Sequence, residues 1–572
     1  MKRLFLLLPL FVLLLNFSSD DGVSNWVENK LRSMTLREKI AQMIVSYSDG
    51  YALEENSTEF RRLNNLIVNE KIGGIIFFKG NALQQAHLTN RLQELAVTPL
   101  LISQDCERGT GMRLYDGSIF PSNMALGASR DSSLAYQMGR RIAIECKAIG
   151  VNQNYAPVMD VNNNPLNPII NVRSFGEDPA LVSYLGISMI KGMQDNGIIA
   201  TAKHFPGHGD TEIDSHNDLP VLNINMERLR NLELVPFKNA IDAGVESIMI
   251  AHVSIPAIDD KSNLPASLSP KIVNDILSGE LGFNGLKVTD ALNMAGITKH
   301  YSVKEVAVMC VKAGIDLILM PQNETASIDA IENAVLKNEI SEERITASAK
   351  KILEAKNRLG LNEKKYVDEN AVSSIVNSED SKSLSQKIAD ASITKVKDMN
   401  GNVPFGRRMI RRKENCLIVS LNNGSDVANS DYFINKFKEK SSNHFTDIFS
   451  YDIIGDVNNT EEILKKANDF TYVVIPVFAK VKIKTGTVGL PASQLSLINS
   501  LIQNGKQLIV ISFGNPYLIQ GFKDVDAYIC AYGDSEPSIN AAIKAMFGEI
   551  QFKGKLPVSI SEEYKFGAGL TD

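Results

Sequence analysis

The chain has 572 residues, 44% of them hydrophobic, which is enough for at least two domains with full cores. A net charge of −6, with no basic block anywhere, argues against a nucleic-acid partner and for a small or neutral ligand. Five scattered cysteines without a CxxC pair exclude a disulfide scaffold and read as ordinary buried thiols.

At the N-terminus Lys2 and Arg3 precede an unbroken apolar run from Leu4 to Leu15, followed by polar residues from Asn16 to Asp21. This is the pattern of a signal peptide over residues 1–20. The run falls short of the roughly 20 residues that a membrane span needs. The expectation is an exported mature chain, periplasmic or extracellular, without stable membrane insertion, and a monomer by default.

From residue 24 to 360, short apolar runs alternate with longer amphipathic ones. The runs predicted as strands are Ala41 to Val45, Gly74 to Phe78, Pro99 to Ser103, Val151 to Ala156, Ile198 to Ala202, Glu246 to Ala251, Leu286 to Thr289 and Ile315 to Met320. Helical stretches such as Ser132 to Ala148, Ala180 to Gln194, Met226 to Ala243 and Val303 to Lys312 separate most of them. The repeating unit is βα, so the expected fold class is α/β, a (β/α)8 TIM barrel, with a doubly wound open sheet as the alternative. Such barrels carry their sites at the C-terminal ends of the strands. Asp105 follows the third run, Asp160 trails the fourth, Lys203 and His204 close the fifth, His252 closes the sixth and Asp290 the seventh.

Residues 361–390 are rich in Glu, Lys, Asp and Ser and read as a linker carrying some helix. Residues 391–572 hold further β-prone runs, Cys416 to Leu421, Tyr472 to Phe478, Gln507 to Phe513 and Ala527 to Tyr532, and are expected to form a smaller α/β sandwich domain.

The chemistry concentrates after the fifth run. Lys203-His204-Phe205-Pro206-Gly207-His208-Gly209-Asp210-Thr211 leads into Asp214-Ser215-His216, a stretch that holds three of the chain's seven histidines. Zinc is disfavoured there, because Pro206, Gly207 and Gly209 break any helix that would set His204 and His208 on one face. His252 and His300, lone histidines, read as structural, and Asp160 as a ligand-facing group or a brace for its loop.

With Thr289-Asp290-Ala291-Leu292-Asn293-Met294, Arg173-Ser174-Phe175-Gly176-Glu177-Asp178-Pro179 and Ala156-Pro157-Val158-Met159-Asp160-Val161, this stretch resembles glycoside hydrolase family 3. The likeness is to its NagZ-type β-N-acetylglucosaminidases and runs from about residue 24 to the C-terminus. It implies a retaining exo-acting enzyme on glycans ending in N-acetylglucosamine, peptidoglycan fragments among them, with no metal and no cofactor. It implies Asp290 as nucleophile, His216 as acid/base and Asp214 as the carboxylate that orients it. It also implies Asp105, Arg113, Arg173, Lys203 and His204 as the groups that bind the sugar. His208 and Asp210 are assigned to loop structure, and Cys106 to Met112 departs from the family's usual pair of glycines. Two other readings are a family 3 β-glucosidase or β-xylosidase, against which Thr289-Asp290-Ala291 lacks a tryptophan after the aspartate, and a non-catalytic wall-binding protein, against which both catalytic residues are present.

Overall fold

A computed structural model of the chain describes residues 20–215, 217–259, 264–406, 414–424, 428–479 and 488–571. Residues 1–19 of the expected signal peptide and the expected acid/base His216 lie outside the described residues.

The first domain is an eight-stranded parallel barrel of β1 (Ile44–Gly50), β2 (Gly74–Gly80), β3 (Leu101–Gln104), β4 (Gln153–Asn154), β5 (Ile199–Phe205), β6 (Ser247–Ile250), β7 (Leu286–Thr289) and β8 (Ile318–Leu319). Neighbours follow chain order from β1 to β7, and β8 pairs with β1. A bridge from Val288 to Leu317 and the Thr289 N–H donated to the Leu317 carbonyl close the ring. β3 and β5 are buried along their whole length, as expected of strands covered on both faces by helices.

The (β/α)8 expectation therefore holds, with one displacement. The first predicted strand, Ala41 to Val45, straddles a helix over Leu36–Gln42 and the start of β1. The apolar spacing there is too short to separate the two periods. What fixes the helix is a capping box in which Thr35 accepts from the Glu38 backbone and Glu38 accepts from Thr35. The other helices start on similar signals: Asp131 caps Ser132–Ala148, and Asp178, followed by Pro179, caps Pro179–Gln194.

The second domain is a six-stranded sheet of β9 (Thr394–Asp398), β10 (Cys416–Asn422), β11 (Ile448–Ile454), β12 (Tyr472–Phe478), β13 (Gln507–Ser512) and β14 (Ala527–Cys530). Its order is β11-β10-β12-β13-β14-β9, parallel except for β9. Leu417, Val419 and Leu421 enter one core while Cys416 and Ile418 enter another on the opposite face, so the sheet is the middle layer of an α/β sandwich. Between the domains, the helix Glu379–Ser392 sends Leu384 and Ile388 into the barrel core and Ala389 into the second domain.

The domains are locked together at the face where the barrel strands end. Met124, Ala125 and Ala128, on a barrel-domain helix, lie in the second domain's core with Leu556 and Val558. Glu177 accepts from the backbone and the hydroxyl of Ser559, at 2.7 and 2.5 Å. Ser122 donates to the Tyr532 carbonyl at 2.7 Å, and the Asn162 amide to the Tyr517 hydroxyl at 3.0 Å. Among the described residues no helix is long and apolar enough to cross a membrane.

Candidate functional site

A cavity of about 650 Å³ opens at the C-terminal ends of the barrel strands and is lined by both domains. Its charged part is one network. Lys203, at the end of β5, donates to Asp105 at 2.8 Å and pairs with Glu107 at 2.9 Å. Arg113 meets the other oxygen of Asp105 at 3.0 Å and lies over the Phe78 ring. Arg173 grips Glu107 with two nitrogens, at 2.7 and 3.0 Å, and its Nη2 lies 3.4 Å from His204 Nε2.

Burial alone would raise the carboxyls of this network, but the cations outweigh it. Lys203 and Arg113 hold Asp105 below its ordinary value, and Arg173 and Lys203 hold Glu107 well below. Burial would likewise lower Lys203, yet Asp105 and Glu107 raise it. Asp105, Glu107, Lys203 and Arg173 are thus kept charged, and hydroxyls entering the cavity meet fixed donors and acceptors.

The network continues behind the cavity. Asp160 Oδ2 lies 2.7 Å from His204 Nδ1, and Asp160 Oδ1 accepts the His208 backbone N–H at 2.7 Å. His208 then contacts Thr211 and Ser215 through its two ring nitrogens, at 2.8 and 3.2 Å. Asp160 is therefore a brace that fixes the His204 ring and the start of the loop after β5. His208 and Asp210 also act within the structure of that loop, Asp210 by pairing with Arg228 at 2.6 Å.

Asp290 stands at the end of β7, where its N–H donates to the Ile250 carbonyl and its carboxylate accepts the Ala291 N–H. Ala291 and Asn293 line the same cavity as the charged network. His252 lies between Ser267 and the Ala291 carbonyl, at 2.8 and 3.2 Å, and so supports the turn that carries Asp290. Asp214 is buried in the loop after β5, and its carbonyl accepts from Asn217 and Asp218.

Asp105, Arg113, Arg173, Lys203 and His204, singled out in the sequence, are thus brought into one network. Glu107 was missed, although two of those five residues converge on it. Its segment carries no apolar period and departs from the family's glycines, so only the fold reveals its place. The second domain, expected as a structural brace or a substrate-access element, also lends residues to the cavity wall.

Residues 35–355 match the family model described as "Glycosyl hydrolase family 3 N terminal domain", and residues 365–566 match the family's C-terminal domain. Among curated proteins, "Beta-hexosaminidase A" of Pseudoalteromonas piscicida is 30% identical, covering 87% of this chain and 91% of its own length. "Beta-N-acetylglucosaminidase/beta-glucosidase" of Cellulomonas fimi is 26% identical, covering 95% and 97%. Among solved structures, a glycoside hydrolase family 3 beta-N-acetylglucosaminidase from Paenibacillus sp. str. FPU-7 superposes with a TM-score of 0.80 at 33% identity, covering 92% of this chain and 99% of that one. The beta-glucoside phosphorylase BglX bound to 2FGlc superposes at 0.85 with 26% identity, covering 94% and 97%.

Proposed function

We propose that this chain, which belongs to glycoside hydrolase family 3, is a retaining exo-β-N-acetylglucosaminidase. The observation that carries the reading is that the Asp105–Glu107–Lys203–Arg173 network and the turn bearing Asp290 face one cavity. Relatives that act by name on N-acetylglucosaminides and hexosaminides support the sugar class.

In this mechanism the Asp290 carboxylate attacks the anomeric carbon while the bond to the leaving oxygen breaks, and His216 gives that oxygen its proton. Neutral His216 then takes a proton from water. The water oxygen attacks the same carbon, the bond to Asp290 breaks, and the sugar leaves with its original configuration. An imidazole serves because its ordinary pKa, about 6.5, needs little tuning to work in both directions. Asp214 orients the ring and stabilises its cation.

Initial rates on aryl β-N-acetylglucosaminide and aryl β-glucoside, for wild type, Asp290→Ala and His216→Ala, test this. The expected outcome is turnover of the acetamido sugar, abolished by the first change and reduced about 10²- to 10⁴-fold by the second. Preference for the glucoside, or indifference to His216→Ala, would move the acid/base to a carboxylate elsewhere. A second reading, transfer to phosphate, is favoured by the likeness to the phosphorylase and by Arg108, Arg113 and Arg173 on the cavity wall. Adding inorganic phosphate and looking for a sugar 1-phosphate separates the two.

A further inference from the structure

We propose that Glu145, a buried residue that does not line the cavity, positions the loop carrying Glu107, Arg108 and Arg113 and ties that loop to the helix between the two domains. This rests on reading the cavity as a glycosidase site and adds to it a residue that sets sugar affinity from outside.

Glu145 belongs to the helix Ser132–Ala148 and is 0% exposed. Among the described residues its partners are five donors and no cation. The Thr110 hydroxyl donates to Oε2 at 2.6 Å, and so does the Ser118 backbone N–H at 3.4 Å. The hydroxyls of Ser118 and Ser381 donate to Oε1 at 2.5 and 2.7 Å, and the Asn377 backbone N–H does so at 3.3 Å. Arg141, one turn earlier on the same helix, is engaged by Ser378 and Ser381 instead. A carboxylate without a counter-ion stays in a protein interior only where hydrogen bonds replace its hydration, so all five donors are held to it.

Three of those donors belong to the loop after β3. Thr110 and Ser118 meet across its neck, where the Gly111 N–H donates to the Ser118 carbonyl at 2.8 Å and the Phe120 N–H to the Arg108 carbonyl at 2.9 Å. The approach is close enough that a Cβ on Gly109 would lie 2.1 Å from the Ser118 carbonyl oxygen. One side of this loop presents Glu107, Arg108 and Arg113 to the cavity, and the other is fastened to Glu145. The remaining two donors, Asn377 and Ser381, belong to the connection between the domains. Ser381 lies on the helix Glu379–Ser392, none of whose residues lines the cavity. One turn further on, Ser385 donates to the Ile119 carbonyl at 2.8 Å, so this helix holds the loop at a second point. The sugar-binding loop and the domain connection thus share one buried carboxylate.

Glu145→Gln keeps the shape but not the hydrogen bonds. Each oxygen accepts a backbone N–H, so either orientation of the amide sets its NH2 against Ser118 or Asn377. Wild-type rates on the aryl acetamido glycoside and the aryl glucoside first identify the accepted sugar, and a failure of the functional reading appears there. On that sugar, Glu145→Gln and Thr110→Val should each raise KM about tenfold with kcat nearly unchanged, because the loop holds the ring and not the reacting carboxylate. Thr110→Ser, which keeps the hydroxyl, should retain the wild-type KM, whereas Ser381→Ala should raise it from a helix outside the cavity. Hydrogen exchange of the full chain reads the same loop without turnover: in Glu145→Gln the Gly111 and Phe120 amides should exchange about tenfold faster, while those of β3 and β5 keep their wild-type protection. Equal KM values in Thr110→Val and Thr110→Ser, an unchanged KM in Ser381→Ala, a loss confined to kcat, or exchange that quickens throughout the barrel overturns the proposal.

Discussion

Two cations converge on Glu107, and that carboxylate shows what a linear reading loses. Lys203 and Arg173 were legible because each adjoins a recognisable motif or an apolar run. The group that pairs them was not, because ion pairing across the barrel follows from three-dimensional neighbours and leaves no local pattern. Breaking such a buried pair from one side costs about 3–5 kcal/mol, so the network is held as a unit. His208 gives a residue-scale prediction. Burial, then the neighbouring His204 ring, pushes it down to about 4, whereas in the unfolded chain it titrates near 6.5. Between those values the unfolded state binds more protons, so its contribution to stability rises with pH from about 4 to 6.5 and is level above. In denaturant melts near pH 4.5 and pH 7, His208→Gln should narrow the gap between the two midpoints. An unchanged gap would mean that His208 does not titrate as its surroundings imply.

At the scale of elements, the loop after β5 is fixed by contacts that leave no room for a side chain. A Cβ on Gly209 would lie 1.7 Å from the Val161 carbonyl oxygen, which belongs to the segment after β4. Gly209→Ala must therefore lift the loop carrying Asp214 and His216. The expected result is a fall in kcat of about a hundredfold, the usual consequence of misplacing catalytic groups by 1 Å, with a circular-dichroism melt close to wild type. Full activity in the variant would show that the loop's seat against Val161 does not position the proposed catalytic pair. The elements themselves were largely legible. All eight barrel runs overlap their strands, the first only at Ile44 and Val45, because buried parallel strands are continuously apolar. The misses in the second sheet are its two edges, β9 and β11. β9 ends in the polar Lys397 and Asp398, and β11 is mostly half-buried or exposed, so neither presents an uninterrupted apolar run.

At the scale of the whole molecule, the two domains share a core. A chain ending at residue 364 would strip Leu556 and Val558 from Met124, Ala125 and Ala128 and leave Glu177 without Ser559. It would also lose the helix Glu379–Ser392, whose Leu384 and Ile388 belong to the barrel core. The expected outcome is a shortened chain that is poorly soluble and inactive on the aryl glycoside, while calorimetry of the full chain gives one cooperative transition. An active, stable barrel would show that the second domain is dispensable to it. The sequence made the two-domain plan legible through its change of register beyond about residue 360. It could not show the shared core, because an alanine on a short helix reads alike whether it faces water or another domain.

The five cysteines remain unbridged and buried within this packing. Burial pushes the thiols of Cys310, Cys416 and Cys530 far upward, so little thiolate forms at neutral pH, and thiolate is the form that attacks disulfides and peroxides. Those three sulfurs are consequently poor nucleophiles and stay inert in reducing and oxidising surroundings alike.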